Sequence, residues 1–117
     1  MDRVDAAFAA HPREGFLPAG VRDHAAYDGP LRIAAGQTNS QPRTVSDMLR
    51  LLDVQPGQRV LDVGSGSAWT TALLAHMVGP SGWVLGVDLE PELVDFGRAN
   101  LSRTGQPWAR IELAAPG

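Results

Sequence analysis

Arg59-Val60-Leu61-Asp62-Val63-Gly64-Ser65-Gly66-Ser67 is a short, largely apolar run that ends abruptly in a glycine-rich turn. The pattern predicts a buried parallel strand that delivers the chain to a sharp bend. Trp69–Val78 then reads as a helix, which Gly79-Pro80 stops. Trp83-Val84-Leu85-Gly86-Val87-Asp88 repeats the strand pattern. Glu90-Pro91-Glu92 opens a second helix, with proline at its first position and acids in its first turn, and this helix runs to about Ser102. Arg110-Ile111-Glu112-Leu113 predicts a third strand. Strand, helix, strand, helix, strand with short joins predicts an α/β fold with a parallel sheet, flanking helices and right-handed crossovers.

In open α/β sheets ligands bind beyond the carboxyl ends of the strands, where Gly64 and Gly66 fall. Glycines permit a tight turn and let a ligand approach the backbone closely. The helix that follows offers unpaired N–H groups. Asp88 ends the second strand, where such folds place an acid on ribose hydroxyls, and an ionised carboxylate suits a vicinal diol. Read alone, Asp88 could equally begin a turn. In register with two strands and a helix, the set predicts a nucleoside site. The dinucleotide fingerprint requires a small residue where Trp69 stands, which argues against NAD. The phosphate loop with its Gly-Lys-Ser/Thr is absent as well. S-adenosylmethionine has a ribose but no pyrophosphate, so it suits this turn better. Asp62 supports two readings side by side: it reaches the ligand's cationic end, or it braces the loop.

Upstream, residues 1–30 are irregular. Val4, Ala7 and Phe8 share one face of a short helix that His11-Pro12 would end, and Phe16, Leu17, Val21 and Tyr27 predict packing onto a neighbour. Residues 31–42 read as extended or looped. Val45, Met48, Leu49 and Leu52 recur at helical spacing, with Thr44 as the cap candidate, and Pro56-Gly57 ends that helix. Between them, Gly36-Gln37-Thr38-Asn39-Ser40-Gln41-Pro42 is dense in hydroxyls and amides, and Thr38 and Ser40 have no evident structural duty.

The bulk composition narrows the function classes. Hydrophobic residues make up 44% and charged residues 20%, a globular balance. The formal net charge of -3 gives no support for nucleic acid or an anionic membrane as a partner. Cysteine is absent, which removes disulfides, thiolate zinc sites and cysteine nucleophiles. His11, His24 and His76 lack ligand spacing, so no metal is expected. No G-x-S-x-G elbow is present for a serine hydrolase. No run is long enough to span a bilayer, and the default expectation is the cytoplasm.

The 36–42 run resembles the substrate-site signature of protein-L-isoaspartate O-methyltransferases. It follows Leu31-Arg32-Ile33 and precedes the methyltransferase motif at residues 60–67. Phe16-Leu17-Pro18 and Ala26-Tyr27 also resemble that family's N-terminal segment. The resemblance covers nearly the whole chain. It implies a Rossmann-like S-adenosylmethionine-dependent methyltransferase fold that passes a methyl group to the α-carboxylate of L-isoaspartyl residues in damaged proteins. It implies catalytic roles for Ser40 and Thr38 in orienting that carboxylate. Asp62, Gly64, Ser65, Gly66, Ser67, Asp88 and Leu89 would hold the cofactor. Residues 1–43 would carry the substrate loop, and residues 44–117 part of the cofactor-binding domain.

Four departures from the family pattern stand out. Ala68 replaces a glycine, a mild change if that position keeps an ordinary helical backbone. Asn39 replaces a commonly apolar residue. Ala115-Pro116-Gly117 replaces a Gly-Asp-Gly turn, and the sequence stops after the third strand. A fold cut short there would bare the edge of the first strand and invite pairing with a second copy. The competing expectations are a non-catalytic nucleoside- or protein-binding module and, behind it, a dinucleotide-dependent oxidoreductase fragment.

Overall fold

The structure, a computed structural model, describes residues 1–115; Pro116 and Gly117, on which the expected acid-free turn depends, lie outside the described residues. Helix α1 (Arg3–Ala10) opens on a reciprocal cap, in which Asp2 accepts from the Asp5 N–H and Asp5 accepts from the Asp2 N–H. Two 3-10 turns follow, Arg13–Phe16 and Ala19–His24, and then a small antiparallel hairpin of β1 (Leu31–Arg32) and β2 (Thr38–Asn39). Helix α2 (Pro42–Leu52) starts two residues before the expected cap. Pro42 takes the first helical position, Thr44 lies inside, and Asp28 accepts from the Arg43 N–H instead.

The sheet consists of β3 (Arg59–Val63), β4 (Trp83–Asp88) and β5 (Ala109–Leu113), parallel and in the order β3-β4-β5. Helices α3 (Trp69–Val78) and α4 (Pro91–Leu101) make the crossovers. Both crossovers step in the same direction, so right-handedness puts both helices on one face of the sheet. Val84, Gly86, Ala109 and Ile111 are buried beneath them. Val4, Ala7 and Phe16 join that same core from the N-terminal segment.

β3 is not the buried strand expected, although the bare edge expected of it is present. Leu61 is 59% and Val63 74% exposed. These residues alternate onto the face that no helix covers, and β3 is an edge strand of the sheet. The register continues the apolar strip, pairing Leu61 with Leu85 and Val63 with Val87.

Ala68 corrects a second expectation. It caps α3 in the left-handed region, at φ 75° and ψ 10°, where a Cβ is strained. Its methyl group is nevertheless fully buried. Ala68→Gly relieves about 1–2 kcal/mol of that strain but gives up about 0.8 kcal/mol of burial and gains unfolded-chain freedom. The net change is expected to stay within about 1 kcal/mol. Ala72→Gly, equally buried but inside α3, has no strain to relieve and should lose about 2 kcal/mol. Urea unfolding of the two variants checks this; equal losses at both positions would refute the strain argument.

Candidate cofactor and substrate site

β3 and β4 deliver their C-terminal ends to a common cavity of about 290 Å³, walled by Thr38, Gly64, Gly66, Asp88, Leu89 and Leu93 among others. The 64–67 turn is folded back over β4, with the Gly64 and Ser65 N–H groups both donating to the Val87 carbonyl. Gly64 and Gly66 hold φ of 74° and 54°, which explains glycine at both. A Cβ on Gly64 would meet nothing within 4 Å, so its backbone lies open to a ligand.

Asp88 fixes this geometry. Its Oδ2 accepts from the Gly66 N–H at 3.0 Å and its Oδ1 from the Glu90 N–H at 3.0 Å. Its backbone carbonyl accepts from the Ala114 N–H at 2.8 Å, tying β5 to the same corner. Each carboxylate oxygen has a further lone pair for a ligand hydroxyl. Ser65 and Ser67 are buried beneath the turn, and among the described residues Ser65 Oγ has no hydrogen-bond partner.

A smaller recess of about 40 Å³ adjoins the cavity and is walled by Thr38, Ser40, Gly64, Ser65, Gly66 and Ser67 among others. Eight of the nine residues singled out from the sequence thus line one or both of these spaces. Thr38 lines both, at the exposed end of the hairpin, and Ser40 is exposed beside it.

Asp62 is the exception. It lines neither space, and its Oδ2 instead accepts from the Thr70 and Thr71 hydroxyls at 2.6 and 2.8 Å. Of its two readings, the geometry favours the brace on the first turn of α3. Burial pushes its carboxyl above the ordinary carboxylate value, and the two hydroxyl bonds oppose that shift. The folded chain therefore holds this proton more tightly than the unfolded chain. The contribution of Asp62 to stability is greatest below about pH 4 and falls as pH rises through the raised value. Asp62→Asn escapes that fall, so it should gain stability relative to wild type between about pH 4 and neutrality. Urea midpoints at the two pH values check it; a wild-type-to-variant gap that does not change with pH would exclude the burial effect.

Several residues that shape the site carried no usable signal in the sequence. Arg13 is buried and donates to the loop that holds Ser40. Asn100 of α4 donates to the Ser67 carbonyl at 3.0 Å. Ile33 packs with Leu17 and Leu93 beneath the hairpin. Gly97 brings α4 against the turn, where a Cβ would stand 3.0 Å from the Gly66 carbonyl oxygen. Gly97 was detectable beforehand as a glycine in a helix interior, and Ile33 only as part of the Leu31-Arg32-Ile33 run.

A glycine turn over a parallel sheet, an acid at the end of the second strand and helices crossing over on the right define the class of Rossmann-like S-adenosylmethionine-dependent methyltransferase folds. A 27% identical structure from Plasmodium falciparum, a protein-L-isoaspartate O-methyltransferase beta-aspartate methyltransferase in complex with S-adenosyl-L-homocysteine, superposes with a TM-score of 0.83, over 96% of this chain and 55% of that one. The family model for protein-L-isoaspartate(D-aspartate) O-methyltransferase matches residues 1–114, and the chain belongs to that family. The protein-L-isoaspartate O-methyltransferase of Methanopyrus kandleri is 47% identical over 104 residues, covering 89% of this chain and 46% of the relative. That of Aeropyrum pernix is 50% identical over 103 residues, covering 88% of this chain and 40% of the relative. The chain thus spans less than half the length of either relative. No helix among the described residues is long and apolar enough to cross a membrane.

Proposed function

We propose that the chain carries the cofactor site and the substrate loop of a protein-L-isoaspartate O-methyltransferase, which transfers a methyl group to the α-carboxylate of L-isoaspartyl residues in damaged proteins or peptides. One observation carries this reading: Thr38 and Ser40, both hydroxyl-bearing, line the same recess as the 64–67 turn. The open backbone at Gly64, the diol-ready carboxylate of Asp88 and the unpartnered Ser65 hydroxyl fit S-adenosylmethionine. Gly64, Ser65, Gly66, Ser67, Asp88 and Leu89 would hold it, with Asp62 bracing from behind. When bound, it supplies a methyl group made electrophilic by a sulfonium.

The chain's own residues have a modest chemical task. The substrate carboxylate is already a nucleophile, so no general base is required. Thr38 and Ser40 bind it and orient it toward the turn, and holding two reactants in line is worth several kcal/mol on its own. A site that excludes competing water would add to this. The backbone amide nitrogen then attacks the methyl ester and expels methanol to give a succinimide, which water opens in part to normal aspartate, a repair suited to the cytoplasm. On the same reading, the edge of β3 is where a second copy of the chain would pair.

The test is transfer of a labelled methyl group to matched isoaspartyl and aspartyl peptides, by this chain and by any longer product of its reading frame. A base-labile methyl ester on the isoaspartyl peptide alone is expected. Labelling of neither peptide by either product would overturn the reading.

A further inference from the structure

Arg13 begins the 3-10 turn Arg13–Phe16 and is 5% exposed. A buried guanidinium is tolerated only where its N–H groups find acceptors. Here the carbonyl acceptors are those of Tyr27 at 2.8 Å, Gly29 at 2.7 Å, Ser40 at 3.1 Å, Asn39 at 3.3 Å and Ala25 at 3.4 Å. No carboxylate forms an ion pair with it among the described residues. The Nε–H group donates to Asn39 Oδ1 at 2.6 Å. One side chain thus gathers the strand of chain before the hairpin and the loop after it around a single point.

Asn39 is the buried member of that loop, between the exposed Thr38 and Ser40. Because its Oδ1 accepts from Arg13, its Nδ2 is left to donate, and it does so to Ser67 Oγ at 3.1 Å. Ser67 is itself pinned through its carbonyl by Asn100. A continuous run of bonds therefore joins the N-terminal segment, the 38–40 loop, the 64–67 turn and α4. An apolar side chain at position 39 would make neither bond.

We propose that Asn39, oriented by Arg13, is a positioning residue that couples the 38–40 loop to the 64–67 turn, so that a ligand on the turn orders the loop and a ligand on the loop tightens the turn. Opening either loop breaks the same bond, and such coupling is reciprocal. The proposal rests on the cofactor and substrate assignment made above.

Amide hydrogen exchange of the chain, with and without saturating S-adenosylhomocysteine, tests it. In the wild type the ligand should slow exchange at residues 64–67 and, by about fivefold or more, at residues 37–41. In Asn39→Ile the slowing at 64–67 persists, while residues 37–41 change less than about twofold. Asn39→Asp keeps an acceptor for Arg13 and another for the Ser67 hydroxyl, so it should restore the response. Exchange at residues 84–87 reports whether each variant is folded, and Asn39→Ala carries the same expectation should the isoleucine not fit. Slowing at 64–67 without slowing at 37–41 in the wild type overturns the coupling alone. So does a response at 37–41 retained in both Asn39→Ile and Asn39→Ala. Slowing at neither segment in the wild type overturns the cofactor assignment, and the coupling with it.

Discussion

Asp88→Ala should weaken S-adenosylhomocysteine binding about a hundredfold or more. The wild-type carboxylate accepts from the Gly66 and Glu90 N–H groups, so it holds the turn and the start of α4 as one corner. Hydrogen bonds to an ionised group contribute about 1.5–3 kcal/mol each. Alanine removes those two and the bonds that the free lone pairs would make to a ribose diol. It also leaves the Gly66 N–H without its acceptor, so the turn loses its shape as well as its ligand. Asp88→Asn keeps one acceptor but turns an N–H group toward one of the two donors, and it should fall between alanine and wild type. Calorimetric titration gives the affinities, and circular dichroism shows that each variant is folded. An alanine variant that binds within about threefold of wild type would mean that the ligand needs neither the carboxylate nor the turn shape it holds, because a lost pair of charged hydrogen bonds cannot hide in so small a change.

The ends of the five-element unit were legible because they depend on local chemistry. Gly79 and Pro80 cannot continue a helix, Pro91 fits the first position of one, and the apolar runs at β3 and β4 stop at glycine and at an acid. The corner where β3 and β4 end was legible for the same reason, since Gly64, Gly66 and Asp88 shape it through backbone geometry and position in the strand. What could not be read depends on partners distant in sequence. Arg13 looks like any loop arginine until the carbonyls of residues 27, 29 and 40 close around it. The start of α2 was misplaced because its N–H acceptor is Asp28, fifteen residues before the Arg43 it serves. The strain at Ala68 and the exposure of Leu61 and Val63 follow from how the turn and the crossovers fold, and the residue types do not encode either. Asn39 combines both cases. Its departure from the family was visible in the sequence, but the two partners that give the change a use were not.

Gly86→Ala should destabilise the chain by about 3 kcal/mol, at the upper end for adding one methyl group to a packed interior. Gly86 lies in β4, the central strand, facing the helices. A Cβ there would stand 2.6 Å from Ile111 Cδ1, 2.7 Å from Thr71 Oγ1 and 2.9 Å from Ser65 Cβ. The isoleucine tip can swing away. The other two neighbours cannot yield cheaply, because Thr71 Oγ1 donates to Asp62 at 2.8 Å and Ser65 Cβ is attached to the backbone of the 64–67 turn. The added methyl group must therefore break the Asp62 brace or displace the turn, so affinity for S-adenosylhomocysteine should fall along with stability. Gly20→Ala is the control, since a Cβ there meets nothing within 4 Å, and its effect should stay within about 0.5 kcal/mol. A second substitution separates the contributions. Ile111→Val removes the closest of the three atoms and alone should cost about 0.5–1.5 kcal/mol. Combined with Gly86→Ala it should cost less than the sum of the two, because it makes room for the new methyl group. Urea unfolding measures all four variants. Strict additivity would show that Ile111 does not carry the clash, and a Gly86→Ala loss below about 1 kcal/mol would show that the turn and the brace yield freely, contrary to the close packing from which the site is built.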